Sequence, residues 1–148
     1  MKKVYAGCDH GGHALKNELI KHLESLGWEV EDKGCYSEDS CNYPDYASAV
    51  CEAVKADKGA LGLLVCGTGI GMSIAANKHK GIRAALCGDV FSAKMTRAHN
   101  DANVLCLGAR VTGPGLAHEI CDAFFSSSFE GGRHEIRVNM LTDIENKQ

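Results

Sequence analysis

The sequence lacks several features that would assign it to a specialised class of protein. It has two prolines and one tryptophan in 148 residues, and we find no internal repeat or low-complexity segment. No apolar stretch approaches the roughly 20 residues of a membrane-spanning helix. The first apolar run stops at Asp9, which is too early for the core of a signal peptide. We therefore expect a cytoplasmic protein that begins at Met1.

An excess of charge of one sign is also missing. The chain has 16 Lys and Arg residues against 19 Asp and Glu residues, a formal net charge of -3, and neither sign forms a long run. Proteins that bind nucleic acids or membrane surfaces usually carry a basic patch or stripe. The charge pattern therefore predicts neither a nucleic-acid partner nor a membrane partner.

Eight cysteines are present, but none of them forms a C-x-x-C pair of the kind found in zinc and redox sites. Several, including Cys8, Cys87 and Cys106, lie in or beside apolar runs. We interpret most of them as small buried side chains in a reducing cytosol. No group of His, Cys or carboxylate residues has the sequence spacing of metal ligands, so we expect no metal and no other cofactor.

Length and hydrophobic patterning predict one α/β domain over residues 1–148. With 45% hydrophobic residues, the chain is large enough to bury a full core. Five short apolar runs alternate with stretches of helical spacing, and they cover residues 4–8, 28–31, 61–66, 82–87 and 104–107. Such nearly continuous apolar strands are typical of a parallel sheet covered on both faces, which is a three-layer α/β/α sandwich.

The stretches between the strands have recognisable helix signals. The first predicted helix carries an apolar stripe of Leu15, Leu19, Leu23 and Leu26, and Lys16 should face elsewhere. Glycines stand before three strands, where helices should end, at Gly27, Gly59 and Gly81. Residues 132–146 form a last predicted helix with no strand after it. We expect this helix to pack on the domain or to contact a partner subunit.

The segment CGTGIG, residues 66–71, combines a thiol with three glycines where the third strand turns into a helix predicted to begin near Ile70. Ligands in open parallel sheets bind beyond the carboxyl ends of the strands. Backbone N–H groups of such a loop converge on an anion, and the helix N-terminus favours the thiolate form of Cys66. Met72 rules out a dinucleotide fingerprint and a cysteine phosphatase loop. A tight turn around a buried cysteine is the alternative interpretation.

Other polar residues flank the predicted strand ends. Asp9 and His10 follow the first strand, and Arg110 follows the fifth. Arg133 and Arg137 are four residues apart on the last helix, where two like charges repel each other unless an anion lies nearby. Arginine side chains suit a phosphate dianion. For each residue taken alone, a helix cap or a solvent-exposed face remains the alternative.

Six segments together resemble the type B ribose-5-phosphate isomerase family: GCDHGG, YPDYA, CGTGIGMSIAANK, GIRAAL, RAHNDANVLCLGAR and FEGGRHEIRV. They occur in this order between Gly7 and Val138. The resemblance implies a metal-free aldose–ketose isomerase that converts ribose 5-phosphate to ribulose 5-phosphate. It also implies a doubly wound, Rossmann-like sheet in the order 2-1-3-5-4, and a homodimer with a shared active site, or a dimer of such dimers.

The resemblance also implies residue roles. Cys66 matches the base, Thr68 a proton relay, and His99 the group that opens the sugar ring, with Asp9 beside it. Further substrate contacts are implied at Tyr43, Gly67, Gly69, Ile70, Gly71 and Asn100. The implied phosphate site comprises His10, Arg110, Arg133 and Arg137. Some family members use a glutamate of the following helix as base, but residues 73–77 offer no carboxylate here.

Two other functions fit parts of the same pattern. One is an isomerase of a hexose 6-phosphate. The galactose 6-phosphate enzyme of this family divides the motifs between two unlike subunits, whereas Cys66, His99 and GGRH occur here in one chain. Allose 6-phosphate would need only a slightly longer pocket. A non-catalytic module that binds a nucleotide or a phosphate would explain the glycines and arginines. It would leave Cys66, Thr68 and His99 without a joint purpose.

Overall fold

A computed structural model describes residues 2–148, and its centre is one sheet of five strands. The strands are β1 Lys3–Cys8, β2 Glu29–Asp32, β3 Leu61–Cys66, β4 Ala84–Leu86 and β5 Val104–Gly108. Their order is β2-β1-β3-β5-β4, and every neighbouring pair is parallel. The predicted α/β class and the strand order are both confirmed.

Helices follow each strand, as the alternating pattern predicts. The sequence HGG forms a 3-10 turn, His10–Gly12, and six α-helices come after it: α1 His13–Ser25, α2 Tyr43–Ala56, α3 Ile70–Asn77, α4 Val90–Asn100, α5 Pro114–Ser126 and α6 Arg133–Asn146. The last helix spans nearly the residues expected of it. No helix within residues 2–148 is long and apolar enough to cross a membrane.

Two hydrophobic cores lie on opposite faces of the sheet. Successive side chains of a strand point to opposite faces, so Leu63 and Val65 pack with α1, α4 and α5, whereas Leu64 and Cys66 pack with α2 and α3. All six residues of β3 are buried. The sheet is therefore covered on both sides, and Cys66 ends its strand on the side of α2 and α3.

The fourth strand is shorter than the pattern indicates, because only residues 84–86 pair with β5. Ile82 instead closes a turn by donating its N–H to the His79 carbonyl. The side-chain amide of Asn77 then takes the place of a neighbouring strand, since it hydrogen-bonds to both the N–H and the C=O of Ala84 at 2.8 and 2.9 Å. The predicted strand start at Ile82 is therefore wrong.

The helix-end predictions are partly confirmed. Gly27 has a φ of +92° and directly follows the cap of α1 at Leu26. Gly59 and Gly81 also have positive φ, but they lie further along in the loops after α2 and α3. Leu26 does not extend the apolar stripe of α1, because it lies beyond the helix and is exposed.

Lys16 is a second correction, because its side chain is fully buried. The ammonium group donates to both carboxylate oxygens of Asp32, at 2.7 and 2.9 Å, and to the Cys35 carbonyl at 2.7 Å. These contacts hold the end of β2 and the following loop against α1. A helical wheel does not reveal this arrangement, since the partners come from a different part of the chain.

We expect Lys16→Met to lower the free energy of unfolding by about 2 to 3 kcal/mol, because Asp32 and a buried carbonyl would lose their partner. Lys21→Met is the matched control on the same helix, where the side chain is exposed, and its effect should stay within about 0.5 kcal/mol. Urea denaturation of both variants measures the difference. Equal stabilities would show that the buried ammonium contributes nothing net.

Candidate functional site

The carboxyl ends of the three central strands meet at one edge of the sheet. Register pairs Cys8 with Val65 and Cys66 with Gly108. The chain then continues in hydrogen-bonded contact: Asp9 donates its N–H to the Val65 carbonyl at 3.2 Å, and Arg110 donates its N–H to the Gly67 carbonyl at 2.9 Å. Asp9, Cys66 and Arg110 therefore begin adjacent loops, as the strand order predicts.

The CGTGIG loop lies close against the end of β5. Gly69 has a φ of +78°, and a Cβ atom there would stand 2.8 Å from the Leu107 carbonyl carbon. From the other side, a Cβ atom at Gly108 would stand 2.5 Å from the backbone carbonyl of Thr68. Both distances are too short for real contacts, so glycine at both positions allows the loop to turn over the strand end.

This turn presents backbone donors around the thiol. The N–H of Gly69 points to the Cys66 sulfur at 3.1 Å, and the N–H of Ile70 points to the Thr68 hydroxyl at 3.2 Å. Helix α3 begins at Ile70, so its first N–H groups, which have no partner within the helix, face the same loop. The arrangement suits an anion, whether a thiolate or an oxyanion.

The other cysteines differ from Cys66 in their surroundings. Burial raises the pKa of Cys8 and Cys51 to about 12 and that of Cys87 to about 11. Burial also raises the pKa of Cys106 and of Cys121. These side chains therefore remain neutral thiols at physiological pH. Within residues 2–148, Cys66 is the one cysteine whose sulfur receives a backbone N–H.

Four more predicted site residues surround the loop. Arg110 lies over it, with its guanidinium 3.3 Å from where a Cβ of Gly67 would stand, and the Tyr43 ring similarly covers Gly71. The carboxylate of Asp9 caps the 3-10 turn by accepting the N–H groups of residues 11 and 12 at 2.9 and 3.2 Å. His10 accepts the N–H of residue 41 at Nδ1, so its Nε2 carries the ring proton.

The remaining predicted residues lie at the opposite, amino-terminal edge of the sheet. His99 and Asn100 end helix α4, which runs back from the carboxyl edge, and residues 101–103 lead directly into β5. Asn103 donates its N–H to the Arg83 carbonyl, just before β4. Because β3 has six residues, the two edges are roughly 16 Å apart. One chain alone does not bring His99 to Cys66.

Helix α6 runs along this same amino edge. Just before the helix, Glu130 donates its N–H to the Ala98 carbonyl at 3.0 Å, and near its end the Glu145 carboxylate accepts the N–H of Gly81. Arg133 and Arg137 are both exposed, and they therefore lie at the same edge of the sheet as His99. The arginine ion pairs within residues 2–148 are those of residues 83 and 97 with Asp101, which leaves Arg110, Arg133 and Arg137 available to an anion.

His99 belongs to a cluster that sequence spacing did not reveal. Its ring stacks on that of His134, with centroids 4.0 Å apart and planes 8° from parallel. Glu130 lies beside both rings, 3.4 Å from Nε2 of His99 and 3.8 Å from Nε2 of His134. Burial, His99 and Arg133 lower the pKa of His134, so this ring favours the neutral state.

Sequence spacing indicated no group of metal ligands, but the fold brings the ligand atoms of His99, Glu130 and His134 within 4.8 Å of one another. The spacing of Glu130 and His134, four apart in FEGGRHE, was a signal in the sequence. Their association with His99 depends on how α6 packs on α4, which no local pattern indicates.

Comparison with known proteins gives one consistent result. Residues 4–141 match the model of the family described as Ribose/Galactose Isomerase. The chain is 50% identical over 148 residues to ribose-5-phosphate isomerase B of Escherichia coli (strain K12), covering 100% of this chain and 99% of the relative.

Solved structures agree with this match. Ribose-5-phosphate isomerase B of Clostridium thermocellum superposes with a TM-score of 0.96 at 48% identity, covering 98% of both chains. The type B ribose 5-phosphate isomerase of Leishmania infantum superposes with a TM-score of 0.94 at 45% identity, covering 99% of this chain and 98% of its own.

The close approach of Gly108 to the loop leads to a testable expectation. Gly108→Ala should lower the free energy of unfolding by about 1 to 3 kcal/mol, because the added methyl group would meet the Thr68 backbone and not a flexible side chain. Gly88→Ala is the control, since no atom lies within 4 Å of a Cβ there, and its effect should stay within about 0.5 kcal/mol. Denaturant unfolding compares the two, and equal values would mean that the loop yields freely.

Proposed function

We propose that this chain interconverts ribose 5-phosphate and ribulose 5-phosphate through an enediolate. The chain belongs to the ribose/galactose isomerase family and is a sugar-phosphate isomerase. The observation that carries the proposal is the donor-lined turn around the Cys66 sulfur. Close relatives named ribose-5-phosphate isomerase B support the choice of sugar.

Cys66 is the base in this proposal. Aldose–ketose conversion removes a proton from the carbon beside the carbonyl and leaves negative charge on two oxygens. A thiolate beside the N–H of Gly69 is suited to take the proton, and burial keeps several of the other thiols neutral. The N–H groups of residues 67–71 then stabilise the enediolate, an effect worth about 3 kcal/mol for a well-directed donor. Thr68 moves the hydroxyl proton between the two oxygens.

The phosphate stays unreacted and positions the sugar. On the Cys66 side, His10 offers the N–H of its Nε2, and Arg110 offers its guanidinium beside the loop. Tyr43 forms the wall over Gly71, and Asp9 lies at the neighbouring strand end. Binding energy from such a remote group orients the reacting carbons and raises turnover as well as affinity.

A homodimer completes this site. His99, the proposed ring opener, lies with Asn100, Arg133 and Arg137 at the other edge of the sheet, so they serve the Cys66 loop of a partner chain. Apolar side chains more than half exposed support a subunit contact, and they occur on α3 at Ile70 and Ile74 and on α6 at Ile136, Met140 and Ile144. A two-fold axis between the chains gives two equivalent shared sites.

The alternatives receive less support. A non-catalytic phosphate module does not fit relatives that are named as isomerases. A panel of pentose 5-phosphates and hexose 6-phosphates, assayed after chelation of metals, tests the sugar directly. The highest kcat/KM should belong to ribose 5-phosphate, and faster turnover of allose 6-phosphate would reverse the assignment.

All eight cysteines are free thiols. Because free thiols are typical of a reducing compartment, we infer a cytoplasmic location.

We expect Cys66→Ala to reduce turnover by about 10³-fold, because a positioned base typically contributes 10² to 10⁴, while binding of the sugar phosphate is retained. Cys87→Ala, which removes a buried thiol elsewhere, should stay close to the parent in kcat. Steady-state kinetics and calorimetric binding give both quantities. Substantial turnover by the Cys66 variant would sink the assignment of the base.

The shared site is tested by mixing inactive variants under conditions of subunit exchange. Cys66→Ala mixed with His99→Ala, or with Arg137→Ala, should regain about a quarter of parental activity. Half of the dimers are then mixed, and each mixed dimer has one intact site of two. Activity is measured at limiting substrate after exchange is verified by mass spectrometry.

The matched control is Cys66→Ala mixed with Arg110→Ala. Arg110 lies beside the Cys66 loop of its own chain, so every mixed dimer keeps one defect in each site. The activity of this mixture should therefore stay as low as that of the two separate variants. Recovery in the control, or none in the two test mixtures, would contradict the proposed division of residues between chains.

A further inference from the structure

Three potential metal ligands converge where α4 meets α6. The side chains of His99, Glu130 and His134 offer two imidazole nitrogens and one carboxylate oxygen, all within 4.8 Å of one another. The His134 side chain is 12% exposed, and those of His99 and Glu130 are 36% and 52% exposed. The cluster therefore combines a sheltered side with an open side that faces solvent.

The backbone fixes the three ligands independently. His99 lies in the last turn of α4 and His134 in the first turn of α6. Glu130 is tied to α4 by its N–H, which donates to the Ala98 carbonyl at 3.0 Å. Only side-chain torsions need to adjust, and the stacked rings must open from their 8° interplanar angle to aim both nitrogens at one ion. Such rotation about the last torsion of a histidine is soft.

We propose that His99, Glu130 and His134 bind one divalent transition-metal ion such as Zn²⁺, and that the bound ion inhibits the enzyme by occupying His99. Two histidines and one glutamate form a ligand set that zinc accepts with a fourth position left for water. The binding part stands by itself. The inhibition part rests on the proposed function, because it requires that His99 act on the substrate.

A second stacked histidine pair lacks a carboxylate that both rings share. His22 and His118 lie with centroids 4.4 Å apart, but each meets its own carboxylate: His22 pairs with Asp122 at 2.6 Å, and His118 pairs with Glu18 at 3.1 Å. Within residues 2–148, the cluster around His99 is the one that brings three such ligand atoms together. The His22 pair therefore supplies a control with similar residues and separated carboxylates.

The charge of neighbouring residues affects how strongly the cluster should bind a metal ion. Burial, His99 and Arg133 lower the pKa of His134, and the positive charge of Arg133 also opposes a divalent cation. Three protein ligands in a partly exposed cluster should therefore bind the ion reversibly and more weakly than the four-ligand zinc sites that hold folds together.

The binding experiment titrates Co²⁺ into the reduced full-length protein and follows the visible absorption that develops when cobalt becomes four-coordinate. The Cys66→Ser background removes the active-site thiol as a competing ligand. We expect one Co²⁺ per chain, displaced by Zn²⁺. Glu130→Gln and His134→Gln should each weaken binding at least about 100-fold, since even second-shell changes cost 10 to 100-fold.

The matched control is His118→Gln, which should bind Co²⁺ as the parent does. Thermal melting must show that each variant is folded. A measurement without any variant uses the imidazole nitrogen resonances of the seven histidines: Zn²⁺ should shift the signals of His99 and His134. Failure to bind Co²⁺, unchanged affinity in both ligand variants, or shifts confined to other histidines would overturn the proposal.

The activity experiment adds Zn²⁺ during isomerisation and compares each protein with its own metal-free rate. Inhibition should be reversed by a chelator and should require about 100-fold more Zn²⁺ in His134→Gln than in the parent. Unchanged inhibition in that variant would assign the effect to another ligand, such as Cys66, and would contradict the proposal. If the chain bound Co²⁺ as expected but turned over no sugar phosphate, the proposed function would fail and the metal site would stand.

Discussion

The double pairing of β3 determines where the candidate side chains around Cys66 lie. This strand is hydrogen-bonded to β1 on one edge and β5 on the other, and all six of its residues are buried. It has no freedom to shift its register, because a shift by one residue would exchange its two buried faces. The loops that begin at Asp9, Cys66 and Arg110 inherit this rigidity. The candidate site is thus built on loops with rigid starting points.

Two glycines allow the loop after β3 to fold closely over the end of β5. The backbone of residues 66–71 passes so close to the end of β5 that neither Gly69 nor Gly108 has room for a side chain. The close approach brings the N–H of Gly69 to the Cys66 sulfur and starts α3 beside it. A looser turn would leave the same donors to water. Because of this close approach, we expect neither glycine to tolerate substitution well.

Much of this fold could be predicted from the sequence, because its strongest signals are local. Apolar runs located the five strands, and the glycine-rich turn after β3 located Cys66. The clearest failure involves partners distant along the chain. Lys16 resembles a surface residue of α1 until Asp32 and the Cys35 carbonyl meet it. The late start of β4 is different: the Asn77 side chain hydrogen-bonds to the backbone of Ala84 only seven residues away, and an apolar pattern does not reveal a side-chain contact of this kind.

The candidate site illustrates the same limit more sharply. The family resemblance implied a joint role for Cys66 and His99, yet they belong to opposite edges of the sheet, since a helix antiparallel to its strands returns the chain to the amino edge. A motif match alone does not say whether its residue ends a strand or ends the following helix. The topology does, and it gives the proposed dimer a physical purpose.

In that dimer, the two halves of the site would respond differently to dissociation. The loop around Cys66 is complete within one chain, because its donors and Arg110 come from β3, α3 and the end of β5. In a separated subunit this turn would stay intact, but it would lose the α6 arginines of the other chain together with the histidine proposed to open the sugar ring. Open-chain sugar and phosphate orientation would both be lost at one step, so catalysis would follow subunit association more closely than anion binding does. The proposed dimer would couple assembly to chemistry in this way because a doubly wound sheet presents its helix ends and its strand ends on opposite sides.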